Sequence, residues 1–388
     1  MKKYLFSSLL LALFAFGFTA SDETDLPPTT PTDTTGIPED KDAEPNPEVT
    51  PEEVTTNIPN INVVTEKEGE TLVFRIDMTG IKNQEALEWL RLYGTGLQEQ
   101  NIWVEIDDEP KGVDVYNTID QQDDKIVPAD LVFTVDNSGS MSEEANAIAR
   151  DIIAWSQLLA ESNLDVRFGL VGYGGYVDGA IDLTDAESLS AYLNRTTGTS
   201  RTKGFGGENA TTLSTKAGNW QRTSTSVDGK ECGAMAIQYA NEYFNFRTNA
   251  NRIYVNFTDE PNQPNSITKY SVKFFAEQDN WAPANGTVHT VWSGGTNTSD
   301  YTSWNYQESP WFISEYTGGT IIKTNSSFSQ VTLSNLPVTA AMQNSYILRI
   351  HGIADMLNDG LVHRVHITVI SADGTVKADK VFTVKFES

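Results

Sequence analysis

The sequence is poor in cysteine and in basic residues, and each shortage excludes a class of protein. Its 388 residues include one cysteine, Cys232, which excludes a disulfide framework and a cysteine-ligated zinc site. We interpret Cys232, which opens a predicted helix, as a small buried residue. Lysine and arginine number 27 against 53 aspartates and glutamates, a formal net charge of −26. This charge disfavours nucleic acids and anionic membrane surfaces as partners and suits cations.

Motifs of common enzymes are also missing. The chain has no G-x-S-x-G, H-E-x-x-H or P-loop motif. A phosphatase of the haloacid dehalogenase type needs a second acid two residues after Asp136, where Ser138 stands. A nucleophilic serine needs a histidine base, and only His289 is near a predicted strand end. His363 and His366 are three residues apart on a predicted strand and so lie on opposite faces. A metal-dependent hydrolase is therefore the weakest functional hypothesis, and we expect no enzyme.

Residues 1–20 predict a secretory signal, because Lys2 and Lys3 precede an apolar core. No second apolar run of membrane length follows, so we expect no transmembrane helix in the mature chain. The signal ends in F-T-A-S, which resembles a bacterial lipobox with Ser21 in place of the lipidated cysteine. We expect export to the outer surface of a bacterium or to the extracellular space, with the lipid anchor undecided.

Residues 21–60 predict a disordered, acidic, Pro/Thr-rich tether. They contain eight of the fifteen prolines, eleven acidic residues and one lysine. Such a segment buries too little apolar area to offset the entropy of ordering it, and its prolines keep it extended. The tether is expected to hold the folded part of the chain away from the cell surface.

Two β regions are predicted, at residues 61–127 and 328–388. Apolar and polar residues alternate at 72–78 and at 365–369, with the period of half-buried strands. Residues 83–93 have a helical pattern instead. We expect the two β regions to pair into one β-sandwich; the alternative is two small, separate β units.

Residues 128–327 alternate strands and helices, which predicts an α/β domain with a doubly wound parallel sheet. The continuous apolar run L-V-F-T-V at 131–135 is typical of a strand that is covered on both faces. We expect this domain to be inserted in, or flanked by, the β-sandwich.

Oxygen-bearing side chains follow two of the predicted strands. Asp136, Ser138 and Ser140 form D-x-S-x-S directly after the apolar run, and Asp259 ends the later strand N-F-T-D. Ligands of doubly wound sheets bind at the carboxyl ends of strands, and hard divalent cations prefer oxygen ligands. The sequence therefore predicts a cation site here. The alternative is that the serines only cap the following helix.

The stretch L-V-F-T-V-D-N-S-G-S-M-S-E-E resembles the metal-ion-dependent adhesion site of von Willebrand factor type A domains. The resemblance covers residues 128–327, about half of the chain. It implies ligands for Mg²⁺ or Mn²⁺ on three loops: Asp136, Ser138 and Ser140 on the first, Glu231 on the second and Asp259 on the third. Glu231 is chosen because, in the family, the second-loop ligand stands five residues before the alanine of a helical alanine–isoleucine or alanine–leucine pair.

The second-loop assignment leaves alternatives open. Thr211 and Thr212 follow a Gly-Gly pair of the kind that usually lies close to this ligand in the family. A glutamate resembles the integrin β-subunit variant, as does S-M-S-E-E, which implies that Glu143 and Glu144 bind an adjacent cation such as Ca²⁺. The alternative for those two acids is a solvated first helical turn, favoured by the helix dipole.

The resemblance implies a secreted or cell-surface adhesion module that coordinates an acidic side chain of a protein partner through the cation. A host protein, a cell-surface protein or a fibre subunit would fit this description. The alternative is a structural or tip subunit of a surface fibre in which the metal only stabilises the fold. We expect the polar insert at 196–230 to lie beside the metal and to select ligands, and the Y-G-G-Y loop at 173–176 to rim the site.

Overall fold

A computed structural model describes most of the chain between residues 36 and 386. The described residues are 36–56, 58, 61–68, 71–83, 88–118, 128–142, 144–161, 164–194, 231–248, 250–264, 268–273, 281–294, 308–325 and 337–386. The predicted signal and the first part of the predicted tether lie outside them. None of the helices within these ranges is both long enough and apolar enough to cross a membrane.

The elements are numbered along the described chain. The strands are β1 (Ile61–Glu68), β2 (Thr71–Met78), β3 (Ile102–Ile106), β4 (Glu109–Lys111), β5 (Asp114–Asn117), β6 (Ala129–Asp136), β7 (Val166–Tyr173), β8 (Val177–Thr184), β9 (Asn251–Thr258), β10 (Thr287–Trp292), β11 (Ile321–Lys323), β12 (Tyr346–Ile350), β13 (His363–Ile370) and β14 (Lys377–Val384). The helices are α1 (Ala145–Glu161), α2 (Ala186–Asn194), α3 (Gly233–Tyr243), α4 (Phe312–Thr317) and α5 (Pro337–Gln343).

The apolar run at 131–135 lies in β6, whose residues are all buried. This strand lies inside a six-stranded sheet with the order β11-β10-β9-β6-β7-β8. The pairs are parallel except for β7 with β8, so one edge strand is antiparallel. The chain adds strands to one side of β6 and later to the other, which puts the topological switch point between β6 and β9. The predicted doubly wound α/β sheet is confirmed.

Helices cover both faces of this sheet, which explains why β6 has apolar residues at consecutive positions. On one face Trp155 of α1 packs against Phe133, with 5.7 Å between ring centroids. On the other face Ile237 and Ala240 of α3 share a buried cluster with Val132. Because successive side chains of a strand point to opposite faces, a strand covered on both faces needs apolar residues at consecutive positions.

The two predicted β regions pair into one sandwich. Its sheets have the orders β1-β2-β12-β5 and β14-β13-β3-β4, so each contains strands from before and after the α/β domain. Ile76 pairs with Leu348 in the first sheet and Val104 with Ile367 in the second, and all four belong to one buried apolar cluster. The alternative of two separate β units is therefore wrong, and the α/β domain is an insertion in the sandwich.

Residues 37–56 and 58 belong to the predicted tether, but the structure places them against the sandwich. Ile37 and Ile58 are 2% and 1% exposed. Between them, the main-chain N–H of Asn46 donates to the side chain of Glu105 at 2.9 Å. The average composition of the segment conceals these anchors, because two isoleucines and a few polar contacts are enough to attach a chain to an existing surface.

The predicted helix at 83–93 is wrong for the part that the structure describes. Lys82 and Trp89 form an antiparallel bridge, and the described residues 88–93 contain no helix. The Asn117 side chain binds both main-chain groups of Leu92, accepting from its N–H at 3.0 Å and donating to its carbonyl at 2.9 Å. The apolar spacing therefore reflects a segment held by contacts from a distant strand, which local periodicity does not reveal.

Arg247 provides a test of how the α/β domain is held together at the start of β6. Its side chain and main chain both donate to the carboxylate of Asp130, at 2.8 and 2.7 Å, and Asp130 is fully buried. Arg247→Ala should lower the free energy of unfolding by roughly 3–5 kcal/mol, because it leaves a buried carboxylate without its cation. Urea unfolding measures this change.

The matched control is Arg150→Ala, which removes an arginine of α1 that pairs with Asp151 on the surface. The Arg150 side chain is 72% exposed, so the free energy of unfolding should change by less than about 1 kcal/mol. Equal effects of the two substitutions would contradict the role given to Arg247.

Candidate functional site

The loop after β6 is tied to the neighbouring strands by Asn137. Its main-chain N–H donates to the carbonyl of Tyr173 at 2.5 Å, and its side chain donates to Asp178 at 2.7 Å. Tyr173 ends β7, and Asp178 lies near the start of β8. These bonds fix the direction in which the chain leaves β6, so the next polar side chains stand at the carboxyl edge of the sheet.

Asp136, the last residue of β6, is 1% exposed. One carboxylate oxygen accepts the main-chain N–H of Ser138 at 2.8 Å, and the other accepts the hydroxyl of Thr258 at 2.9 Å. Burial disfavours the charged carboxylate and raises the pKa of Asp136 to about 7, although both hydrogen bonds act in the opposite direction and Asp259 adds like charge. The two hydrogen bonds therefore fix the orientation of the carboxylate, but no positively charged group among the described residues offsets its charge.

A chain of hydroxyl groups connects this loop to the end of β9. The hydroxyls of Ser138 and Ser140 are 3.0 Å apart, and Ser140 donates to the carboxylate of Asp259 at 3.0 Å. Burial raises the pKa of Asp259. The structure thus brings together four of the five predicted ligands, Asp136, Ser138, Ser140 and Asp259, on two loops that are more than a hundred residues apart.

The donor set of these residues fits a hard divalent cation. Two carboxylates and two hydroxyls supply oxygen atoms of the kind that Mg²⁺ and Mn²⁺ prefer. Among the described residues, no lysine or arginine contacts Asp136 or Asp259, so this part of the chain provides no positive charge for the pair. A bound cation would supply it.

The predicted second-loop and adjacent ligands are less well defined. The main-chain carbonyl of Glu231 accepts the N–H of Gln263 at 2.9 Å. Within the described ranges, no three His, Cys, Asp or Glu side chains form a group that could hold a metal ion. Glu144 is 2% exposed and so is not a solvated helical acid. Thr211, Thr212 and Glu143 lie outside the described residues, as does the insert at 196–230.

Polar residues continue beneath the loop on the face of the sheet that α3 covers. The side-chain oxygen of Asn256, in the middle of β9, accepts the hydroxyls of Thr134 at 2.8 Å and Tyr173 at 3.0 Å. A Cβ atom at Gly233, the first residue of α3, would lie 2.7 Å from the Asn256 side chain. Asn256, Thr258 and Gly233 also line a small cavity of about 10 Å³.

Sequence reasoning missed Thr258, Asn256 and Tyr173. The available signal was a polar residue at every second position of an otherwise apolar strand, in Y-V-N-F-T. That alternation places Asn256 and Thr258 on one face of β9. Their partners come from β6 and β7, so the sequence alone does not show what the polar groups bind.

Cys232 and the histidines take no part in this arrangement. Cys232 is fully buried and donates to Asn262 at 3.2 Å, and burial raises its pKa to about 12. His289 binds Thr320, whereas His363 and His366 bind different carboxylates of the sandwich, which agrees with their predicted placement on opposite faces of a strand.

The comparisons with known proteins find similarity only among solved structures. No family model matches the chain, and no curated protein does. An aerotolerance-related membrane protein from Bacteroides fragilis is 13% identical over 55% of this chain and 98% of its own, with a TM-score of 0.33. BatB from Bacteroides thetaiotaomicron is 14% identical over 56% and 96%, also with a TM-score of 0.33.

A third structure covers more of this chain. The pilus adhesin SpaC from Lactobacillus rhamnosus GG, in its open conformation, is 10% identical over 83% of this chain and 47% of its own, with a TM-score of 0.35. Similarities at this level carry no argument about function, so the case for function depends on the geometry of the site.

The buried carboxylate of Asp136 predicts a pH dependence of stability in cation-free protein. Because the folded form holds the proton up to about pH 7 and the unfolded form releases it near pH 4, stability should fall as the pH rises between these values and level off above. The loss should be roughly 4 kcal/mol at most. Urea unfolding with a chelator at about pH 5 and pH 8 measures it.

Asp136→Asn is the control for this pH dependence, since an amide of the same shape does not titrate. The wild-type protein should lose more stability than the variant between the two pH values. Equal losses would mean that Asp136 is solvated in the folded protein and that its carboxylate does not require a cation.

Proposed function

We propose that this chain is an exported, surface-held protein-binding module of the von Willebrand factor A type, which captures an acidic side chain of a protein partner through a divalent cation. The observation that carries the proposal is the hydrogen-bonded chain from Asp136 through Ser138 and Ser140 to Asp259 at the carboxyl edge of the sheet. It gathers oxygen donors and excess negative charge where this fold binds ligands.

The cation expected here is Mg²⁺ or Mn²⁺, which would supply positive charge and a coordination position for the oxygen of an incoming carboxylate. Ser138 is half-buried and Ser140 exposed, so their hydroxyls can face both a cation and solvent. Asp136 is buried behind them, and its hydrogen bonds to Thr258 and to the N–H of Ser138 fix its orientation. Such outer contacts tune metal affinity.

The integrin β-like features belong to the same proposal. Glu231 is the proposed second-loop ligand, and Thr211 or Thr212 is the alternative. Glu143 and Glu144 are the proposed ligands of an adjacent Ca²⁺. The buried position of Glu144 supports this assignment over a solvated helical turn, and the start of α3 two residues after Glu231 keeps that residue next to the carboxyl edge.

Binding rather than turnover is proposed for two reasons. A nucleophilic serine needs a base, and the described contacts of the histidines lie elsewhere: His289 binds Thr320, and His351 binds the carbonyl of Ile37. The exposed hydroxyls, moreover, are bonded to each other and to Asp259, an arrangement that suits ligation. The predicted signal supports export, and the part of the predicted tether before residue 37 supports display at the surface.

Metal titration tests the proposal directly. Chelator-stripped protein should bind Mg²⁺ and Mn²⁺ saturably in calorimetry, and Asp136→Asn should abolish binding because it removes the charge of the principal ligand. Asp259→Asn should weaken binding by roughly 10- to 100-fold. The control is Asp373→Asn, at a turn of the sandwich where Asp373 binds Ser371 and Thr375. Absence of saturable binding in the wild-type protein would refute the cation site.

A second experiment asks whether the bound cation accepts a carboxylate. Acetate should displace water from bound Mn²⁺ and so lower the enhancement of water proton relaxation, because a carboxylate oxygen takes a position that water held. Acetamide, which has the same shape and no charge, should have a much smaller effect. Equal responses to the two compounds would mean that the cation only stabilises the fold, as in the alternative of a structural fibre subunit.

A further inference from the structure

Asn256 is an unusual residue for the centre of a covered parallel strand. It is 3% exposed, and its neighbours in the strand, Val255 and Phe257, are fully buried. A buried amide costs about 1–3 kcal/mol unless its hydrogen bonds are replaced. The side-chain oxygen of Asn256 accepts two hydrogen bonds. Its side-chain nitrogen has no hydrogen-bond partner among the described residues, and the residue lines the cavity. Packing alone would favour a valine or leucine here.

The contacts of Asn256 reach both loops of the cation site. Its oxygen accepts the hydroxyl of Tyr173, and the main-chain carbonyl of Tyr173 accepts the N–H of Asn137, which stands next to Asp136. On the other side, its amide lies against Gly233, where a Cβ would approach to 2.7 Å. Gly233 follows Glu231 by two residues. The Asn256 side chain therefore contacts both Tyr173, which binds the first loop, and Gly233, which follows the proposed second-loop ligand.

The same contacts explain why residue 233 is glycine. A Cβ there would also lie 3.0 Å from the hydroxyl of Tyr173. The amide and the hydroxyl therefore occupy the space that a side chain would need, and the start of α3 approaches the sheet more closely than a larger residue permits. The separation between α3 and β9 is set at this point by polar groups.

We propose that Asn256 is a positioning residue for the cation site, which fixes the start of α3 and the second loop relative to the Asp136 loop. This inference depends on the proposed function. Among the described residues, Asn256 hydrogen-bonds to no predicted ligand, and it acts through Tyr173 on one loop and through Gly233 on the other. Residues that orient metal ligands without binding the metal themselves change cation affinity by roughly 10- to 100-fold when they are replaced.

The test compares Asn256→Ala with wild-type protein in the Mg²⁺ and Mn²⁺ titrations. The variant should bind both cations roughly 10- to 100-fold more weakly, and Tyr173→Phe, which removes one hydroxyl and keeps the ring, should act in the same direction by less. Asn117→Ala is the control, because Asn117 is also buried and doubly bonded but lies in the sandwich. It should lower the stability of the protein without changing cation affinity.

Hydrogen exchange of cation-free protein provides a readout that does not depend on the proposed function. Asn256→Ala should accelerate exchange in both 137–141 and 231–235, whereas Asn117→Ala should not do so selectively. Wild-type affinity in Asn256→Ala, or an equal loss of affinity in Asn117→Ala, overturns the inference. If the wild-type protein binds no cation, the proposed function fails, and the hydrogen-exchange rates of Asn256→Ala alone test the positioning role. Unchanged rates overturn that role. Faster exchange confined to 137–141 and 231–235 supports it.

Discussion

The buried carboxylate of Asp136 is the constraint on which the rest of the site depends. It ends the central strand, where both faces of the sheet are covered, and it is 1% exposed. The described part of the chain offers it two hydrogen bonds but no lysine or arginine, and it places Asp259 nearby. Those bonds orient the charge without neutralising it. The divalent cation that we propose would satisfy both carboxylates and would use the hydroxyls of Ser138 and Ser140.

The insertion of the α/β domain places the sandwich at the edge of the sheet opposite Asp136. The chain enters at the amino end of β6, and α5 carries it to β12. A helix that follows a parallel strand returns toward the amino edge of the sheet. In agreement, β1 of the sandwich contacts the turn at 283–285, directly before β10. The sandwich thus attaches at the amino edge, opposite the carboxyl edge that holds Asp136.

The sequence was sufficient where a local pattern carries the information. The apolar run at 131–135 and the D-x-S-x-S motif predicted β6 and its loop, because both depend only on neighbouring positions. It was insufficient where contacts come from far along the chain. The helical spacing at 83–93 concealed a segment bound by Asn117, and the acidic composition of the tether concealed the anchors Ile37 and Ile58. Asn256 and Thr258 were missed for the same reason.

The net negative charge of the chain opposes the approach of an acidic partner. A protein with a net charge of −26 repels anions at long range, and one cation offsets only two of these charges. Under the proposed function, the attraction at Asp136 and Asp259 would therefore be short-ranged, and it would act only after the partner has crossed a repulsive field. Salt screens that field over about 10 Å at 0.1 M, while a coordinate bond is screened much less. Moderate salt should thus speed association with an acidic partner, which is opposite to the behaviour of an ordinary ion-pair interface.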